Sequence, residues 1–396
     1  MRTAAHQSRR FLYLYALAAS GGAIAYIPFL TILLPLRAGE LAVNNALSML
    51  AIAAFAGAIS ASLANIGFGW SSDVSRTRRA WITAGLILSS LLMLAMPLAT
   101  NATTLIAMII GWQIGLNMML APLAAWAGDC VPDSQKGLLG GLLAFAPALG
   151  ALSGALVTLP GIAATDGRHM LVVVLVVLMV GPVLVFGRPQ PMPHLMQQPP
   201  RRDHTDGRVD AAKHMVAGMW SARLLVQIAE ASLFAFLLMW FRSIDPALGE
   251  NITATIFTAV LGVAAFVAIG VGRWSDRVDQ PILPLIWCAG LAAAGLVIMS
   301  IAPGLTVAIA GYVVFGLASS VFLALHTSQT LRVLPRPHTR GRDLGIFNLT
   351  NTLPSLIMPW LILALVPTYG FDALFLLLAG LASLACVLLA TIARRI

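Results

Sequence analysis

Of 396 residues, 59% are hydrophobic and only 10% charged, with a mean hydropathy of +0.89, which excludes an ordinary water-soluble core. Three dispersed cysteines (Cys130, Cys288, Cys386) suit neither a disulfide framework nor a metal site, so no metal is expected. No nucleophile elbow, HExxH or phosphate loop occurs, so an enzyme and an ATP-driven pump are set aside and no cofactor is expected.

Apolar runs of about 20 residues, long enough to cross a bilayer as helices, recur twelve times. Span 1 covers about 11–34 and carries Tyr26; "SRRFL" before it reads as the flank of an uncleaved first helix. Span 2, about 46–66, ends in the polar stretch "GFGWSSDVSRTRRAW" at 67–81, and span 3 follows at about 80–98. Span 4, about 103–127, places Gln113 and Asn117 four residues apart on one helix face. After the loop "GDCVPDSQKGLLG", span 5 covers about 137–159 and span 6 about 169–187.

Residues 188–213, rich in proline and mixed charge, read as a cytoplasmic linker between an N-terminal half (1–187) and a C-terminal half (214–396). Span 7, about 215–241, contains Arg223, Gln227 and Glu230. Span 8, about 253–271, ends in "GVGRWSDRVDQP", a shorter version of the hinge after span 2. Span 9 covers about 281–301; span 10, about 305–329, carries Ser319, Ser320, His326 and Gln329. The loop "RVLPRPHTRGRDLG" pairs loosely with the one after span 4. Span 11, about 342–366, holds Asn348 and Asn351 with Pro354 and Pro359, and span 12 covers about 371–393. The expected architecture is therefore all-α: twelve transmembrane helices in two like halves of six.

The net charge of +9 follows from topology. With the N-terminus in the cytoplasm, twenty of the 24 Lys and Arg residues fall on the cytoplasmic side and three (Arg37, Arg168, Arg242) opposite. Both termini are expected in the cytoplasm, in a plasma (bacterial inner) membrane. Lipid is the expected partner and nucleic acid is not.

At the repeated hinge the sequence resembles the major facilitator superfamily. Its loop signature, G-x-x-x-D-R/K-x-G-R-R/K, is matched by Gly69, Asp73, Arg78 and Arg79, and in part by Gly272, Asp276 and Arg277. Val74 replaces a cation, the inner glycine is absent, and the second copy lacks the arginine pair. Within the superfamily, "SSDVSRTRRAWI", "DCVPDSQKG" and "DLGIFNLTNTLP" resemble the glycoside–pentoside–hexuronide and sucrose–proton symporter branch. "AFAPALGALSG" on span 5 is a degraded echo of the drug–proton antiporter motif. The resemblance implies the major facilitator fold, alternating access and a monomer. It also implies a cytoplasmic gate at the seven hinge residues, where Asp73 meets a neighbouring helix N-terminus and the arginines meet acids of the other half or lipid phosphate. The plainer alternative is that these arginines are topology anchors.

Arg223 and Glu230 are the two charges expected deep within spans, and an ion there is costly unless paired or hydrated. With Gln227 they stand at i, i+4 and i+7 on one face. By the resemblance, helices 1, 4, 7 and 10 line the cavity. Glu230 is then the proton-coupling carboxyl and Arg223 its modulator, unless they form a structural pair. Gln113, Asn117, Gln227, Tyr26, Ser319, Ser320, His326, Gln329, Asn348 and Asn351 are the substrate-binding set, with Trp112 or Trp240 available to stack on a ring. The alternative for these polar residues is helix–helix adhesion. The expected function is proton-coupled symport of a sugar or similar small polar solute; the alternative is proton-coupled antiport exporting drugs or metabolites.

Overall fold

A computed structural model describes residues 6–42, 45–132, 135, 138–139, 142–143, 145–162, 167–190, 192, 208–278, 280, 282–333 and 340–394; side chains of 208–214, 216, 276–278, 327–333 and 340–349 lie outside the description. Every regular element among the described residues is a helix. In order they are α1 (Arg9–Pro28), a π-helical turn (Phe29–Leu33), α2 (Leu34–Leu41), α3 (Ala46–Ser75), α4 (Arg78–Ala95), α5 (Ala102–Cys130) and α6 (Ala146–Val157). Then follow α7 (Gly167–Phe186), α8 (Arg208–Ile244), α9 (Glu250–Val278), α10 (Leu283–Ser300), α11 (Leu305–Val333) and α12 (Arg340–Ala393).

Among the described residues, ten stretches are long and apolar enough to cross a membrane, and the apolar α6 is shorter. The tenth stretch, Thr350–Ala393, runs 44 residues, so it has the length of two spans. Gly370 divides α12 with φ 75 and ψ −179, a conformation only glycine adopts freely. Twelve spans are compatible with this arrangement. Three boundaries differ from the sequence reading. The first span continues past Pro28, where the missing N–H shifts the ladder into the π turn and the helix resumes to Leu41. Span 5 is described as helix only over Ala146–Val157. The linker's end is helical from Arg208, because the Arg, Ala, Lys and Met residues of "RVDAAKHM" favour a helix and neither Gly nor Pro interrupts its run into the next span.

The chain forms two units. The first comprises Met1–Gln198 with Gly249–Thr258, the second Pro199–Leu248 with Ala259–Ile396. In the first, α1 packs on α6 and α7, and α5 on α3 and α4. In the second, α8 packs on α11 and α12, and α10 on the same two helices. Lipid supplies no hydrophobic drive between helices, so close packing by small residues holds such units together.

Both units use one device. A methyl on Gly85 (α4) would lie 2.3 Å from the Met119 nitrogen of α5, and one on Gly115 would lie 2.9 Å from the Ser89 nitrogen. In the second unit, a methyl on Gly295 (α10) would lie 2.5 Å from the Phe315 nitrogen of α11, and one on Gly311 would lie 3.0 Å from that of Met299. In each unit the second partner stands four residues after the glycine, so the same helix crossing is built twice.

Polar groups complete the ends. Asn101 caps α5 by accepting from the Thr104 N–H (2.9 Å). Arg37 of α2 donates to the Pro97 and Ala99 carbonyls (3.0 and 2.6 Å), which would otherwise end the α4 segment unpaired. Within the first unit, Arg168 at the start of α7 pairs with Glu250 (2.8 Å), and Asn251 donates to the Ala155 carbonyl and the Thr158 hydroxyl (2.9 and 3.2 Å).

Candidate functional site

The hinge after α3 is shorter than its sequence suggested. Asp73 lies in the last turn of α3, and only Arg76 and Thr77 separate α3 from α4. Arg76 occupies the place where the resembled signature has its inner glycine, and it adopts the left-handed conformation (φ 51) that a glycine would take there. Arg78 is the hub. Its Nε donates to Asp129 at the end of α5 (2.9 Å), one terminal nitrogen to the Ser72 hydroxyl (2.6 Å) and the other to Asp73. Asp73 thus meets the first residue of the neighbouring helix α4 through its side chain, pairing with the Arg78 guanidinium. Arg79 donates to the Leu184 carbonyl of α7 and lies 5.9 Å over the Trp126 ring. Gly69 contributes a carbonyl that accepts from Ser72 (2.9 Å).

In the second copy of the hinge, a methyl on Gly272 would lie 3.3 Å from Leu325. The side chains of Asp276 and Arg277 lie outside the described residues. Ser72 and its counterpart Ser275, both fully buried, are features the sequence reading passed over.

On α5, Gln113 and Asn117 are nearly buried, and the Asn117 amide donates to the Gln113 carbonyl (2.9 Å). Asn65 of α3 donates to Asn117 Oδ1 (3.2 Å), making a chain of three amides inside the first unit. Asn65 was missed; a lone amide within span 2 was its only signal. Tyr26 is half-buried on α1. A groove of about 670 Å³ between α3 and α5 is lined by Ile59, Leu63, Ile110 and Ile114, and its Ser60 and Ser71 hydroxyls are bonded to carbonyls of their own helix. That groove suits an apolar chain, not a polar solute.

In the second unit, α8 presents Arg223, Gln227 and Glu230. Arg223 donates to the Thr350 hydroxyl (3.0 Å), the Leu323 carbonyl (3.3 Å) and Asn351 Oδ1 (3.3 Å), so it links α8 to α11 and α12. Gln227 donates to Glu230 Oε2 (3.0 Å), and its own Oε1 is buried with no hydrogen-bond partner among the described residues. Tyr312 of α11 is buried. Thr350, beside Asn351, is the partner the sequence reading did not single out.

The other expected contacts differ among themselves. Ser319 is buried with its hydroxyl on the Gly316 carbonyl (3.3 Å), whereas Ser320 is half-buried. His326 is fully buried, with Nε2 2.9 Å from the Met219 carbonyl and its ring against Phe322. The side chains of Gln329 and Asn348 lie outside the described residues. Trp112 packs on Phe29 (4.7 Å between centroids), and Trp240 sits between Phe241 and Phe375 (4.9 and 4.8 Å). Both tryptophans are fully buried core residues, which corrects the expectation that they stack on a solute. Among the described residues, no three His, Cys, Asp or Glu side chains group as a metal site.

The sequence model of the Major Facilitator Superfamily matches residues 219–395. A bacterial homolog of the human lysosomal transporter Spinster, solved inward-facing and unoccupied, superposes with a TM-score of 0.71 at 14% identity, over 97% of this chain and 96% of that one. The chain has the major facilitator fold. A POT family transporter in complex with a thioalcohol-conjugated peptide superposes with a TM-score of 0.73 at 14% identity, over 97% of this chain and 95% of that one. A POT family transporter with 5-aminolevulinic acid gives 0.73 at 15% identity, with coverage of 97% and 95%. No curated protein matches. In this major facilitator fold, the charged face of α8 and the amide chain of α5 stand on the helices that the resemblance assigned to the cavity.

Proposed function

We propose that this chain is a secondary active transporter working by alternating access, and that it couples uptake of a sugar or similar small polar solute to protons. The observation that carries this reading is the α8 stripe: Glu230 held by Gln227, with the Gln227 Oε1 acceptor buried beside it and without a hydrogen-bond partner among the described residues. A carboxyl inside a span that exchanges between water and protein surroundings can take up and release a proton. An orphaned amide oxygen favours a solute that brings hydroxyl or amino donors, since leaving it unmet costs about 1–3 kcal/mol. Arg223 responds to the carboxyl's charge while anchored to Thr350 and Asn351. Gln113, Asn117 and Asn65 supply a second set of amide groups for solute hydroxyls. The hinge residues act as the cytoplasmic gate, with Arg78 as its organising cation. The structural neighbours carry peptide and 5-aminolevulinic acid as bound molecules, and at 14–15% identity they lend support to the fold rather than to a cargo. The protein works as a monomer in the plasma (bacterial inner) membrane, with both termini in the cytoplasm.

The test is proton flux in proteoliposomes enclosing a pH-sensitive dye, with mono- and disaccharides and then organic cations added to wild type and Glu230→Gln. Solute-driven proton influx that is lost in the variant, together with the pH dependence of uptake, is the expected result. Cation-driven proton efflux would replace symport with export by antiport. Coupling that survives Glu230→Gln would remove Glu230 from the mechanism.

A further inference from the structure

Four arginines gather where α1, α4 and α7 end on one face of the first unit. Gln7, buried, draws the segments together: its side-chain amide donates to the Cys130 carbonyl (2.9 Å) and the Gln190 carbonyl (3.2 Å), and its Oε1 accepts from the Gln190 N–H (3.0 Å). This ties the start of α1, which carries Arg9 and Arg10, to the stretch just beyond α7 that carries Arg188. Arg10 lies over the Phe186 ring, 5.8 Å from its centroid, and Arg79 reaches the Leu184 carbonyl two residues earlier on α7. All four arginines are exposed. Among the described residues none of them pairs with a carboxylate, because the nearby Asp73 and Asp129 are both engaged by Arg78.

The apolar surface beside them is equally open. Phe186 is 55% and Val185 63% exposed at the end of α7, and Tyr13, one turn after Arg9 on α1, is 55% exposed. Cations edging an apolar strip, with an aromatic residue at the boundary, match a molecule that has a negative head and hydrocarbon tails. Helix-end arginines that served only to orient the chain would not require a ring stacked beneath one of them or a buried glutamine binding the segments.

We propose that this surface, formed by Arg9, Arg10, Arg79 and Arg188 around Phe186, binds an anionic phospholipid of the surrounding bilayer. The headgroup phosphate takes the free guanidinium donors, and the acyl chains lie along Val185, Phe186 and Tyr13.

The test uses the full chain purified in detergent. Phosphatidylglycerol or phosphatidylcholine is added, and lipid retention is read by native mass spectrometry beside the unfolding midpoint. Wild type is expected to retain phosphatidylglycerol and to be stabilised by it in preference to phosphatidylcholine, and inorganic phosphate alone is expected to give no shift. Arg10→Gln with Arg188→Gln removes two cations that make no hydrogen bond within the described protein. It should weaken phosphatidylglycerol retention by roughly ten- to thirtyfold at about 1 kcal/mol per cation. The paired Arg→Lys variant should keep most of the preference, and if the Gln variant misfolds, Phe186→Ala tests the same surface by a separate loss of retention. Equal retention of the two lipids by wild type, or an unchanged preference in both the Gln variant and Phe186→Ala, would overturn the proposal.

Discussion

Arg78 holds two carboxylates and a hydroxyl with one guanidinium whose side chain is only 14% exposed. Lysine cannot replace it, since a single ammonium on a flexible stem does not span three acceptors in a fixed fork. Arg78→Ala should lower stability by about 1–2 kcal/mol, because it leaves the partly buried Asp129 and the exposed Asp73 without their cation. Arg78→Lys should fall between. The thermal unfolding midpoint in detergent measures both, and Arg78→Ala combined with Asp129→Asn should recover part of the loss. Two residues earlier the opposite holds. Among the described residues the exposed Arg76 side chain makes no hydrogen bond or ion pair, yet its backbone is left-handed, so Arg76→Gly should raise stability by about 1 kcal/mol. A fall in the midpoint would show that the Arg76 charge matters more than its backbone.

Helix pairs are where the repeat becomes physical. Gly85 and Gly295 sit where a single methyl would meet a neighbouring backbone nitrogen at 2.3 and 2.5 Å, distances no side-chain rotation can relieve. Gly85→Ala or Gly295→Ala should therefore force the paired helices apart and destabilise by about 1–3 kcal/mol, visible as a lower unfolding midpoint and reduced yield. Among the described residues nothing lies within 4 Å of such a methyl on Gly262 of α9, so Gly262→Ala should be neutral or stabilising by about 0.5–1 kcal/mol. Equal effects of the two kinds of substitution would mean that helix propensity, not close approach, governs these positions. The small-residue run "GALSGAL" takes part in the same way on α6, where a methyl on Gly150 would lie 3.0 Å from the Ala23 carbonyl of α1.

At the scale of the whole molecule, charge sets orientation. Twenty Lys and Arg residues fall in one set of loops and termini and three in the other; with the richer side in the cytoplasm, a fluorescent protein fused after Ile396 should fluoresce, and alkaline phosphatase fused there should be inactive. The reverse pattern would invert every assignment of side made from the loops.

The sequence alone determined the helical membrane class, the two-part repeat and the unusual charges of α8. Each rests on local properties: runs long enough to span a bilayer, a motif written twice, and ions whose depth makes them costly. Boundaries were less legible where local chemistry permits continuation. Pro28 diverts its helix into a π turn without ending it, and "RVDAAKHM" extends α8 although it is polar. Only the tertiary structure decided partners. Asp73 turns to Arg78, Arg223 reaches Thr350 and Asn351 on a distant helix, Gln7 binds three segments, and Trp112 and Trp240 are buried among aromatic rings. Helix periodicity states which face a residue is on, but which neighbour meets that face follows from how the helices pack, and that is a property of long-range contacts rather than of spacing along the chain.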